Sequence, residues 1–154
     1  MAPLDKMLGG LEPGLHLLAA RPSMGKTALV LQIASNVARR EQRVMFFTLE
    51  MSEEQLGLRL ASSRAGVELS KLKRGEASSE EFAAVPEATA EIEEWPLTVH
   101  RRAVTAGAVR AKVQRAMMQQ GVSLVVVDYL GLMAASKEVN TRNLELGSIS
   151  RELK

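Results

Sequence analysis

The chain has 154 residues, 46% apolar and 25% charged, an ordinary globular balance that fits one domain. Cys is absent and His occurs only at His16 and His100, which excludes a disulfide framework and a Cys- or His-rich metal centre. A net charge of +2 with aromatics at 3% gives little pull on nucleic acid and no base-stacking platform, and no apolar run approaches the ~20 residues of a membrane span.

Met1 to Gly10 holds Pro3, Asp5 and two glycines and lacks an apolar signal core, so the expected setting is cytoplasmic, away from membrane. A turn-rich Gly9-Gly10-Leu11-Glu12-Pro13-Gly14 leads into a predicted first strand, Leu15 to Ala20. Arg21 to Gly25 then precedes a predicted helix from about Lys26 to Arg40, with Leu29, Ile33 and Val37 as its buried stripe. The second predicted strand is Val44 to Leu49. Ser52-Glu53-Glu54-Gln55 has the form of a capping box and starts a helix that carries Leu56 and Leu60 inward. Ser78 to Glu81 is a second such box, opening a helix with Phe82 and Val85 that Pro86 should kink or interrupt. After Trp95-Pro96, Leu97 to His100 forms a short third strand. Thr105 caps a helix to about Gln120, with Val109, Val113 and Met117 on one face. Leu124 to Asp128 is apolar and β-branched, the pattern of a central parallel strand. A last helix is expected from about Thr141 to the end, with Leu144, Ile149 and Leu153 facing the core. Strands alternating with helices imply an α/β fold of βαβ units around a mainly parallel sheet.

Three elements of this layout carry chemistry. Gly25-Lys26-Thr27 follows an apolar run and opens a helix. In that setting backbone N–H groups and the helix N-terminus attract phosphate, Lys26 can reach the outer phosphates, and the Thr27 hydroxyl can ligate Mg²⁺. The strict P-loop pattern wants Gly at position 20, where the chain has Ala20, so the context carries the assignment. Asp128 ends a parallel strand, which delivers it to the crevice where α/β sheets bind ligands and where a carboxylate can hold Mg²⁺. Glu50 ends the second strand and is placed to polarise an attacking water. Basic residues are otherwise scattered: Arg39-Arg40, Lys71, Lys73, Arg74, Arg101-Arg102 and the group Arg110, Lys112 and Arg115 read mainly as solvated faces or subunit contacts. Lys137 and Arg142, in the segment after Asp128, are the better phosphate contacts because that segment leaves the crevice. His16 reads as a packed or surface side chain, and the eight Met as gap-fillers.

Ala19-Ala20-Arg21-Pro22-Ser23-Met24-Gly25-Lys26-Thr27 resembles the Walker A segment of the DnaB-type replicative helicase family, where Ala at the first position is common. Thr48-Leu49-Glu50-Met51-Ser52 is similar to the family's second-strand motif, whose glutamate is the catalytic base. Val127-Asp128-Tyr129-Leu130-Gly131-Leu132-Met133 resembles its Walker B segment, with Gly131 where Gln is usual, and Arg142 to Lys154 is similar to the following helix. The match is collinear over nearly the whole chain. It implies a RecA-like ATPase domain over residues 1–154 that binds ATP and Mg²⁺ and works in a hexameric ring on single-stranded DNA. Glu50 and Lys26 would be catalytic; Arg21, Pro22, Ser23, Met24, Gly25, Lys26, Thr27 and Ala28 would bind nucleotide; Thr27 and Asp128 would hold the metal; Lys137 and Arg142 would contact DNA. Primase and a helicase loader are family partners. The family's N-terminal primase-interacting domain, sensor strand and arginine finger do not appear in the sequence, so an incomplete sheet and weak hydrolysis are expected. Val99-His100-Arg101-Arg102 stands where the family is richer in acids and small residues.

Three other readings stay open on the sequence. Leu4-Asp5-Lys6-Met7-Leu8-Gly9-Gly10 favours a RecA/RadA-type recombinase or a clock-type relative on the same fold. A non-catalytic nucleotide-binding paralogue that docks on a helicase ring is another, and a small-molecule kinase is weaker still.

Overall fold

The structure is a computed structural model and describes residues 6, 9–21, 23–101 and 105–128. Three parallel strands form its sheet: β1 (Val44–Thr48), β2 (Leu97–His100) and β3 (Leu124–Asp128), in the order β2-β1-β3. Their register pairs Phe47 with His100 and Thr48 with Asp128, so the carboxyl ends of all three strands lie along one edge. Around them stand α1 (Lys26–Ala38), α2 (Glu53–Ala65), α3 (Leu69–Arg74), α4 (Ser79–Glu93) and α5 (Ala106–Gln120). Among the described residues no helix is long and apolar enough to cross a membrane.

β1 organises the core because every one of its residues is buried. Its alternating side chains serve two faces, as a strand's period of two requires. Val44 and Phe46 pack with Leu31, Ala34 and Ala38 of α1 and Leu56 and Leu60 of α2. Met45 and Phe47 pack with Ala106 and Val109 of α5. The result is a sheet covered by helices on both faces, the layered solution for parallel strands. The central strand is therefore β1 and not the expected Leu124–Asp128, which is an edge strand of the described sheet with Val125 37% exposed.

Local signals shape the helices as expected. The Ser52 and Ser78 hydroxyls each accept a hydrogen bond from the backbone N–H at N3, and the Gln55 and Glu81 side-chain oxygens accept one from the cap N–H, completing both capping boxes. Thr105 caps α5 by accepting from the Ala108 N–H at 3.2 Å. Four details differ from expectation. The helix α1 ends at Ala38, and the residues that face inward are Leu31, Ala34, Ser35 and Ala38; small Ala side chains let the helix approach the sheet closely, which leaves Leu29 and Ile33 half-buried. Helix α4 runs unbroken through Pro86. Proline removes the N–H that would bond to the Phe82 carbonyl, and with Phe82 45% exposed, water can satisfy that carbonyl. Met117 on α5 is 54% exposed, so the buried stripe there stops at Val113 and Ala116. Leu15 to Ala20 is not a strand: it lies exposed with no ladder partner among the described residues, and an isolated strand has nothing to bond its backbone.

Candidate active site

Just before α1 the Met24 N–H donates to the Arg21 carbonyl at 3.3 Å. Ser23 and Gly25 both take left-handed φ values, 65° and 82°. Gly25 adopts that conformation without strain, whereas Ser23 holds it at a cost of order 1 kcal/mol or more. Gly25 is the N-cap of α1 but offers no side-chain cap, and the first turn contains no acid. The positive end of the helix dipole is thus presented to the strand-end edge without a built-in anionic partner.

Lys26 and Thr27 leave this helix start directly against β3. The Thr27 hydroxyl donates to Asp128 Oδ2 at 2.7 Å, across a separation of 101 residues. Lys26 Nζ lies 3.3 Å from Asp128 Oδ1. Asp128 is 4% exposed, so its charge is held out of water and stabilised by these two partners, as a buried carboxylate must be. Each oxygen of the carboxylate has its own partner, which fixes its rotation.

Glu50 is positioned by backbone. The Leu49 N–H donates to the Asp128 carbonyl at 2.9 Å, extending the β1–β3 ladder by one bond. Buried Thr48 then closes the turn: its hydroxyl accepts from the Met51 N–H and donates to the Met51 carbonyl, both at 3.1 Å. Glu50 occupies this turn with its side chain exposed, one residue past the bond to Asp128. The structure therefore brings Lys26, Thr27 and Asp128 into contact and holds Glu50 beside them. Thr48 was not singled out in the sequence, although a Thr three residues before the N–H it bonds is a recognisable local motif.

The remaining expected site residues divide simply. Arg21, Ser23, Met24, Gly25 and Ala28 surround the start of α1, and all five are exposed. Pro22, Lys137 and Arg142 lie outside the described residues, as do Tyr129 to Met133, Arg102 and the helix expected from Thr141. His16 is on the surface, with Nε2 2.8 Å from the Glu12 carbonyl. The His100-Arg101 pair lines a cavity of about 370 Å³ with Glu53, Glu54, Val99 and Lys112.

The donor set fits Mg²⁺ bound with phosphate. A hydroxyl on the first turn of α1 and a carboxylate oxygen at the end of β3, 2.7 Å apart, are hard oxygen donors of the kind Mg²⁺ takes. Among the described residues no group of three or more His, Cys, Asp or Glu could hold a metal. Mg²⁺ in phosphate sites needs no such cage, because one or two protein oxygens with phosphates and waters complete its shell.

Residues 1–154 match the family described as DnaB-like helicase C terminal domain. Similar relatives include the replicative DNA helicase DnaB of Synechocystis, 38% identical over 98% of this chain and 18% of that protein. The DnaB of Leifsonia xyli is 33% identical over 98% of this chain and 34% of that protein. The chain thus spans about a third or less of the length of these relatives. Among solved structures, one described as a DnaB-like replicative helicase and its interactions with primase superposes with a TM-score of 0.89 at 29% identity, over 99% of this chain and 38% of that chain. A second, described as an ATPase domain, gives a TM-score of 0.88 at 29% identity, over 99% of this chain and 56% of that one.

Proposed function

Because the chain belongs to the DnaB-like helicase C-terminal domain family and shares the RecA-like fold of its ATPase domains, we propose that residues 1–154 bind and hydrolyse ATP as the motor of a replicative DNA helicase. One observation carries the reading: Asp128 receives the Thr27 hydroxyl and the Lys26 ammonium together at the start of α1. A phosphate-seeking cation, a hydroxyl and a strand-end carboxylate share one point, beside an uncapped helix N-terminus.

Residues 23–28 cradle the triphosphate through backbone N–H groups, and Lys26 neutralises its outer phosphates. Thr27 and Asp128 hold Mg²⁺, which supplies charge neutralisation of the phosphates when bound. Glu50, exposed on its turn, accepts the proton of the water that attacks the γ-phosphate. In the longer protein the motor acts in a hexameric ring on single-stranded DNA, with Lys137 and Arg142 as phosphate contacts, and with primase and a helicase loader as partners. The helicase described with its primase interactions supports the first of those partners.

The test is nucleotide binding followed by ATPase assay, with and without single-stranded DNA. Lys26→Ala is expected to weaken Mg·ATP binding by about tenfold or more, since one charge-assisted contact of roughly 1.5–3 kcal/mol is lost. Equal affinity in the wild type and Lys26→Ala would remove the basis of the proposal and leave a non-catalytic paralogue as the better description.

A further inference from the structure

A second concave feature lies on the α5 side of the sheet. A cleft of about 270 Å³ lies where β1 and β2 meet α5, lined by the apolar Met45 and Ala116, the cationic Arg43, Lys112 and Arg115, and His100. No carboxylate occurs among the residues that line it. The neighbouring cavity shares His100 and Lys112 but sets Glu53 and Glu54 beside Arg101, so its charges offset one another. In the cleft they do not: Arg43, Lys112 and Arg115 take part in none of the ion pairs between described residues. Two nitrogens at its margin, Arg43 Nε and His100 Nε2, are buried without a hydrogen-bond partner, an arrangement that costs free energy until an acceptor arrives.

The shape of the cleft narrows the ligand. Lys112, Arg115, Ala116 and Gln119 recur at i, i+3, i+4 and i+7, so one face of α5 looks along it. The opposite wall, β2, is an edge strand of the described sheet, a template for an extended chain. Beside the cleft Met117 and Met118 are 54% and 85% exposed, an adaptable apolar margin. Nucleic acid fits less well, because bases need aromatic faces and the one ring lining the cleft, His100, already rests against Phe47 with centroids 4.9 Å apart. We propose that this cleft docks an acidic peptide segment of a partner protein, with carboxylates on Arg43, Lys112 and Arg115 and an apolar side chain on Met45 and Ala116.

Fluorescence anisotropy on the full 154-residue chain tests this with three probes: a labelled peptide of alternating Glu and Leu, its Lys–Leu counterpart, and an oligo-dT strand. The Glu–Leu peptide is expected to bind, more weakly as salt rises, and the Lys–Leu peptide not to bind. The double variant Lys112→Glu/Arg115→Glu, at two exposed positions, should weaken binding by about tenfold or more while Mg·ATP binding stays at the wild-type level. Arg115→Glu alone, with circular dichroism as the folding control, should give a smaller loss of the same sign. The proposal is overturned if the Glu–Leu peptide fails to bind, if charge reversal leaves its affinity unchanged, or if oligo-dT displaces it and shows the same dependence on Lys112 and Arg115.

Discussion

Asp128 concentrates the chemistry of the site because it is both buried and doubly partnered. A carboxylate at 4% exposure cannot rely on water, so its geometry follows from Thr27 and Lys26. On the proposed function, the two partners separate metal binding, through Thr27, from phosphate binding, through Lys26. Thr27→Val keeps the side-chain shape and removes the hydroxyl that donates to Asp128; Asp128→Asn keeps the shape and removes the charge. Either change should abolish most of the increment that Mg²⁺ adds to ATP affinity, about tenfold, while ATP binding without Mg²⁺ changes little. Glu50→Gln, by contrast, should retain the full increment, since Glu50 is exposed and stands outside the Thr27–Asp128 bond. Calorimetric titrations with ATP in Mg²⁺ and in EDTA check all three variants. A Mg²⁺ increment that survives in Thr27→Val would detach the metal from this pair of oxygens.

At the scale of elements, what is local in energy was legible in the sequence and what depends on neighbours was not. Both capping boxes, the Thr105 cap and the strands Val44–Thr48, Leu97–His100 and Leu124–Asp128 are specified by residues within a few positions of one another. Which face of α1 turns inward is instead decided by how near the sheet lies, and Ala34 and Ala38 win over Leu29 and Ile33. The same distinction sets the worth of the two caps. Helix α2 carries Leu56 and Leu60 into the core at 0% and 7% exposure, whereas α4 buries only Ala88. Ser52→Ala should therefore cost ~1 kcal/mol of global stability, near the usual value for a lost N-cap, and Ser78→Ala measurably less, because α4 can fray without opening the core. Urea denaturation midpoints compare the two; a larger loss for Ser78→Ala would mean that α4 is more tightly bound to the fold than its burial indicates.

For the whole molecule, the parallel sheet gathers strand ends that are distant in sequence, and this convergence is why three short motifs could nominate one candidate site over Lys26, Glu50 and Asp128. The sheet's order could not be anticipated, since Leu124–Asp128 and Val44–Thr48 are both strongly apolar and only the packing makes β1 central. The same convergence brings His100 to that edge, where the sequence offered no reading of it. Its imidazole is held below the ordinary histidine range chiefly by burial, further by Lys112 of α5, and against the opposing pull of Glu53 on α2. A histidine whose folded value is lowered binds fewer protons in the folded chain than in the unfolded one, so stability rises with pH across the interval between the two values. The contribution is complete above the unfolded value of about 6.5 and is lost as pH falls through and below it. Glu54, Glu81 and Glu91 are shifted below the ordinary carboxylate range and lose their contributions only under more acidic conditions, so these three add nothing to a change near pH 6. The urea midpoint of the wild type should accordingly fall between about pH 7.5 and about pH 5.5, and that of His100→Gln should stay level, because glutamine has no proton to gain. If both chains lose stability in parallel over that interval, the acid sensitivity belongs to another group and the burial of His100 is without thermodynamic consequence.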